Sequence, residues 1–392
     1  MGSKKNNKSF NAEEVYSVAG GHLLHDLHTS FLAPLLPEII HKLSLTLTSA
    51  GALTTLVRIP AILNPLLGYI SDKTSARYFV IFAPALTSTF MSLLGLAPSP
   101  WVLAILLLLA GFSSALFHAP SPAMIGVSSK KRVGFGMSLY MAGGGLGRTL
   151  GPLLVVWAVG VWGLEGTYRL MLIGWAASLI LFIQLKKIDI HPQKASSFSI
   201  DFHKFKSFFL PLSIILVLRN FLLASISTYL PTYLRQNGSP LWIAGASLSA
   251  LEVSGVIGAL LLGSLSDVIG RKKILIPAML ISSVTLFGFL NTSGWKMIPF
   301  LIMLGMSSKS TGAIFLALVQ DQFKIHRATG NGIYMLLSFL TNAGMLLLIG
   351  IIGDAFGLKF AYYIAIITSL CTMPALLLLP ENKVKPDAKT SN

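Results

Sequence analysis

Charge is what this sequence has least of. Only 11% of its 392 residues are charged, against about 25% in soluble domains. The deficit runs the whole length, which excludes a soluble core carrying one anchor. A single cysteine, Cys371, excludes an internal disulfide and a thiolate metal cluster. No His-Glu-x-x-His motif and no Ser/His or Cys/His constellation occurs, so neither an enzyme nor a cofactor is expected. The polar start "MGSKKNNKSFNAEE" lacks the features of a cleavable leader.

What is present is apolar: 54% hydrophobic residues and a mean hydropathy of +0.73. Windows of about 20 apolar residues predict spans near 13–40, 46–70, 78–97, 101–126, 134–160, 167–185, 208–234, 241–266, 274–292, 296–320, 330–353 and 359–379. One long polar connection, 186–207, divides the chain into a first bundle, 1–185, and a second, 208–392. Most of the 30 Lys and Arg fall in alternate loops, the termini and that linker. The positive-inside rule then puts both termini in the cytoplasm of a cytoplasmic (inner) membrane protein. It also accounts for most of the +16 net charge without a nucleic-acid partner.

"GYISDKTSARYFV" (68–80) and "GSLSDVIGRKKIL" (263–275) occupy matching places after the second helix of each half, indicating a parallel repeat. The shared Gly-x-x-x-Asp with trailing basic residues resembles the signature of the major facilitator superfamily. Gly263, Asp267, Gly270, Arg271 and Lys272 match closely; Gly68, Asp72 and Arg77 match, with Ser75 and Ala76 where a glycine is usual. The resemblance covers essentially the whole chain. It implies an all-α membrane protein of twelve transmembrane helices in two pseudo-symmetric six-helix bundles. Asp72 and Asp267 stand at helix ends, where they can pair with cytoplasmic cations in one conformation only. Asp72, Arg77, Asp267, Arg271 and Asp321 are therefore read as gate residues.

"HLLHDLHTSFLAPLLP", "ALFHAPSPAM", "GGGLGRTLGPLL" and "ASISTYLPTYL" are similar to the fosmidomycin-resistance branch. That resemblance implies a proton-driven exporter of a small drug or anionic metabolite. It matches His22 and Asp26 in helix 1, Phe117-His118-Ala119-Pro120 in helix 4 and Asp321 in helix 10; His25, His28 and Arg148 lie outside the pattern.

Ionisable residues inside spans are functional candidates because each is costly in lipid. They are His22, His25, Asp26, His28, Arg58, His118, Arg148, Arg219, Glu252 and Lys309. All fall on helices that line or flank the central path in the superfamily, so a shared watery cavity is expected. Its fixed cations outnumber its anions, which favours an anionic substrate. Substrate is assigned to His25, Arg58, Arg148, Arg219 and Lys309, and proton coupling to Asp26, His22, His118 and Glu252. Ion pairs of Arg58 with Asp26 and of Arg219 with Glu252 would weaken the anion reading, and Arg148 can equally well reach for the interface. Tyr140, Phe221, Tyr229, Tyr233, Phe315 and Tyr334 can shape a pocket or simply pack.

His22, His25 and Asp26 share a helix face, but a metal would lack a ligand from a second helix unless His118 joined. No resident metal is expected. The small glycines of "GGGLGRTLGP" predict a close helix approach at Gly143, Gly147 and Gly151. The main reading is a monomeric, proton-coupled antiporter working by alternating access. Uptake by symport, transport of a divalent metal and a non-transporting membrane receptor stay open.

Overall fold

The computed structural model describes residues 10–64, 66–67, 70, 77–129, 132–185, 202–323 and 327–379. All regular structure among them is helical. Ten of these helices are long and apolar enough to cross a membrane, and a shorter apolar one covers Leu47–Leu63. With the interrupted first helix, the chain is an all-α, twelve-helix membrane protein built as two six-helix bundles of one plan. Large apolar side chains such as Trp101, Leu179, Leu260 and Leu377 are exposed, as lipid-facing surfaces require.

The chain divides into two compact units. The first holds Met1–Ser196 and Leu234–Ser249, and the second holds Ser197–Tyr233 and Ala250–Asn392. In the first run α1 (Ala12–Thr29), α2 (Leu32–Leu43), α3 (Leu47–Leu56), α4 (Arg77–Ser92), α5 (Pro100–His118), α6 (Ser121–Ser129), α7 (Val133–Trp162) and α8 (Met171–Leu185). The later segments are α9 (Phe202–Ala224), α10 (Leu230–Gln236), α11 (Leu241–Ile269), α12 (Arg271–Leu290), α13 (Met297–Gln322), α14 (Arg327–Phe356) and α15 (Leu358–Leu377). Residues 186–201 of the linker expected at 186–207 lie outside the described residues, as do 1–9 and 380–392, whereas 202–207 already belong to α9.

Several expected spans are broken, and proline explains where. A proline ring collides with the carbonyl four residues earlier and has no N–H to offer it. Pro34 disrupts at Ser30, between α1 and α2. Pro60 disrupts at Leu56, the last residue of α3. Pro122 disrupts at His118, the last residue of α5, and so leaves that imidazole at a helix end. Pro231 faces Ser227 inside a π-helical turn, Ser225–Tyr229, that joins α9 to α10. Pro152 and Pro211 sit within continuous helices, so proline alone does not decide a break.

The predicted glycine face of α7 packs on α1. A Cβ on Gly143 would collide with the carbonyl of Ala19, and on Gly151 with that of Leu27. On Gly147 it would strike the Leu23 carbonyl and approach the Leu27 amide to 2.8 Å. Backbone cannot rotate away as a side chain can, so the small residues set the spacing. Gly147→Leu should therefore destabilise the first unit by roughly 2–3 kcal/mol or more. A monodisperse, wild-type-like chromatographic profile for that variant would contradict this packing.

Candidate functional site

The α1–α7 approach carries polar groups into the first unit. Asp26 is 4% exposed. Arg148 Nη1 donates to its Oδ2 at 2.5 Å. His22 Nε2 lies 3.3 Å from the same oxygen, and His118 Nε2 lies 3.4 Å from Oδ1. Gly144 makes the approach possible: a Cβ there would fall on the His22 ring and 2.9 Å from Asp26 Oδ2.

The hydrogen-bond partners fix where protons sit on His22. Its Nδ1 is 2.7 Å from the Tyr140 carbonyl, which can only accept. Nδ1 therefore carries the hydrogen, and a neutral ring turns a lone pair at Nε2 toward a carboxylate oxygen. Two acceptors at 3.3 Å repel unless a proton lies between them. The Tyr140 ring stacks on His22 with centroids 3.9 Å apart. The Tyr140 hydroxyl meets Ser121 at 2.7 Å and His118 Nδ1 at 3.4 Å.

The other two helix-1 histidines are engaged elsewhere. Ser113 donates to the Ala110 carbonyl at 2.8 Å and is 2.6 Å from Thr87, whose hydroxyl must then donate to it. The Thr87 oxygen accepts from His25 Nδ1 at 3.2 Å, leaving Nε2 to accept from Ser114 at 3.4 Å. Neutral His25 is thus satisfied, wholly buried and stacked on Phe117 at 4.6 Å. The expected substrate role for His25 does not fit this placement, because its polar atoms are consumed by packing contacts. His28 meets two carbonyls, Leu24 at 2.7 Å and Leu170 at 3.2 Å, and ties α1 to the turn before α8.

The cation pairings differ from those weighed in the sequence. Asp26 is held by Arg148, not Arg58, so the reading of Arg148 as an interface cation is also set aside. Arg58 stands beside the α3 end and makes no ion pair among the described residues. In the second unit Glu252 is paired with Lys309, not Arg219. Lys309 also donates to Ser227, on the π turn, at 3.1 Å. The expected separate roles of Glu252 and Lys309 become those of one ion pair.

Arg219 is only 6% exposed. Its Nε donates to Thr311 at 2.6 Å and its Nη1 to Asn220 at 3.2 Å. The guanidinium lies 5.5 Å from the Phe315 ring centroid. Asn220 is itself held by Thr341 at 2.6 Å and by the Ser338 carbonyl at 3.1 Å. No carboxylate lies within 4 Å of Arg219 among the described residues. Thr311, Asn220, Ser121 and Gly144 were not singled out by the sequence, since neutral polar and small residues are common in membrane helices.

Three expected gate residues converge. Arg271 meets Asp267 at 2.5 Å and Asp321 at 3.2 Å, and donates to Ser266 at 2.7 Å. Arg77 opens α4 with its guanidinium 5.0 Å from the Tyr78 centroid. Asp72 falls outside the described residues.

The sequence matches the Major Facilitator Superfamily over residues 18–263 and again over 245–392. The chain belongs to this superfamily. It is 24% identical to the fosmidomycin resistance protein of Escherichia coli (strain K12), over 94% of this chain and 93% of that one. It is 26% identical to multidrug resistance protein MdtG of Salmonella paratyphi C (strain RKS4594), over 70% and 72%. A bacterial homolog of the human lysosomal transporter Spinster, inward-facing and occupied, superposes with TM-score 0.76 at 15% identity, covering 93% and 94%. A point mutant of nucleoside transporter NupG gives a TM-score of 0.71 at 17% identity, covering 93% and 99%. These two share the fold. The protein is a multi-pass membrane transporter of the secondary type.

Proposed function

We propose that the protein exports a small organic anion in exchange for protons. The observation that carries the anion is Arg219, a buried guanidinium with no acidic partner among the described residues. A buried charge is costly unless something compensates it. Thr311, Asn220 and Phe315 orient the fork but supply no negative charge. A carboxylate or phosphonate would meet the remaining N–H groups in the planar geometry that guanidinium favours. In the first unit, taken by itself, Arg58 is a cation without an ion pair among the described residues.

Coupling is assigned to Asp26, His22, His118 and Arg148. A proton between His22 Nε2 and Asp26 Oδ2 weakens the carboxylate's hold on Arg148, and losing the proton restores it. Glu252 and Lys309 form a second such pair. The two halves run 1–185 and 208–392 with the linker 186–207 between them in sequence, both termini being cytoplasmic. The likeness to resistance proteins supports the outward direction.

The test is purified protein in liposomes carrying an internal pH dye. Carboxylates, phosphonates and neutral and cationic drugs are added in turn under an imposed proton gradient. Anions should move protons and neutral or cationic compounds should not. Equal responses to cations would refute the anion reading, and anion flux without proton flux would refute the coupling.

A further inference from the structure

We propose that His22, Asp26 and His118 form a binding site for a divalent transition-metal ion that competes with Arg148 for the carboxylate. The inference concerns the same side chains as proton exchange but does not depend on it, since metal binding is read directly.

One ligand atom from each residue lies within 4.8 Å of the others. An ion about 2.1 Å from each ligand in a tetrahedron holds them about 3.4 Å apart. His22 Nε2 lies 3.3 Å from Asp26 Oδ2 and His118 Nε2 3.4 Å from Oδ1, so each imidazole has that spacing to one carboxylate oxygen, and an ion would either take both oxygens or draw one ring across to the other's oxygen. The ligands come from two helices, α1 and α5, which supplies what the helix-1 histidines lack alone.

The surroundings prepare the imidazoles. A ligating histidine ordinarily gives its other N–H to a carbonyl or similar acceptor, which fixes the tautomer. His22 gives Nδ1–H to the Tyr140 carbonyl at 2.7 Å. His118 Nδ1 faces the hydroxyl of the same tyrosine at 3.4 Å. Tyr140 thus orients both rings with Nε2 toward Asp26. Two imidazoles and a carboxylate suit Zn2+, Co2+ or Ni2+ rather than Mg2+ or Ca2+.

The obstacle is Arg148, whose guanidinium holds Asp26 Oδ2 at 2.5 Å. Its side chain is 41% exposed, whereas that of Asp26 is 5%. Arg148 can therefore leave while the carboxylate stays. His118, 32% exposed, ends α5 and packs edge-on against the His22 and His25 rings at 5.1 Å, which keeps its ring beside the carboxylate.

The experiment uses the full chain in detergent with its purification tag removed. Co2+ is titrated while its visible absorption is followed, and Zn2+ is then added to displace it. Wild type should give one site. His22→Gln and His118→Gln should each weaken it at least about 10-fold, and Arg148→Gln should tighten it about 10-fold. Thermal unfolding and the size-exclusion profile of each variant verify folding. Co2+ binding that is unchanged in both histidine variants overturns the proposal, as does no binding to Arg148→Gln at millimolar Co2+. Metal binding without proton-coupled flux would leave this site standing and remove the coupling assignment.

Discussion

Arg219→Leu should weaken anion binding about 100-fold while leaving the protein as stable as wild type or more so. The two halves of this result have one cause. A charge-assisted, forked contact to a ligand carboxylate or phosphonate is worth several kcal/mol when it is desolvated. Arg219 is 6% exposed, and among the described residues it is bonded only to Thr311 and Asn220 and meets no carboxylate. Replacing such a group by an apolar one of similar volume removes a desolvation cost and leaves two neutral partners. Asn220 keeps its bonds to Thr341 and the Ser338 carbonyl. An arginine kept only for packing would behave in the opposite way, with the variant unfolding earlier. Arg219→Lys tests the fork itself. It retains the charge but not the planar pair of donors, so binding should fall by about 10-fold, between wild type and leucine. Isothermal titration with a responsive anion, paired with thermal unfolding, reads both quantities. A large fall in unfolding temperature with unchanged affinity would assign Arg219 to structure.

The plan of the fold was legible because lipid writes it directly into composition. Runs of apolar residues, alternate basic loops and the repeated "GYISD" and "GSLSD" segments needed no contact information. The breaks were less legible. Pro34, Pro60 and Pro122 interrupt helices, while Pro152 and Pro211 do not, because neighbouring helices decide which distortion is tolerated. The pairing of charges was least legible. Arg58 and Arg148 carry the same side chain on flanking helices, and nothing local says which one meets Asp26. The decision lies in glycines: Gly143, Gly144 and Gly147 let α7 reach the α1 backbone, which brings Arg148 with it. The glycine face was visible in the sequence, but not that α1 was its partner. His25 misled for a related reason. Its partners, Thr87 and Ser114, are neutral residues on other helices and leave no pattern beside it.

Asp26→Asn should fold, bind the anion and lose proton-driven transport by at least about 100-fold. An asparagine carbonyl still accepts from Arg148, and its amide can donate to His22 Nε2, whose own hydrogen is committed to the Tyr140 carbonyl. The variant thus reproduces the hydrogen bonds of a protonated aspartate but can neither take nor release the proton. Coupled flux stops, while exchange of labelled for unlabelled anion, which needs no net proton movement, should continue. The same change leaves the Arg148 cation without its counter-charge, and that should cost stability by itself. Adding Arg148→Gln should restore part of the loss, and the two substitutions should be strongly non-additive because their side chains touch. The measurements are proton flux, anion exchange and thermal unfolding on the two single variants and the double. Proton-driven transport surviving in Asp26→Asn would move the coupling role to another group, with Glu252 and its partner Lys309 next to be tested. Additive stability effects would mean that the Asp26–Arg148 contact is not held in the membrane.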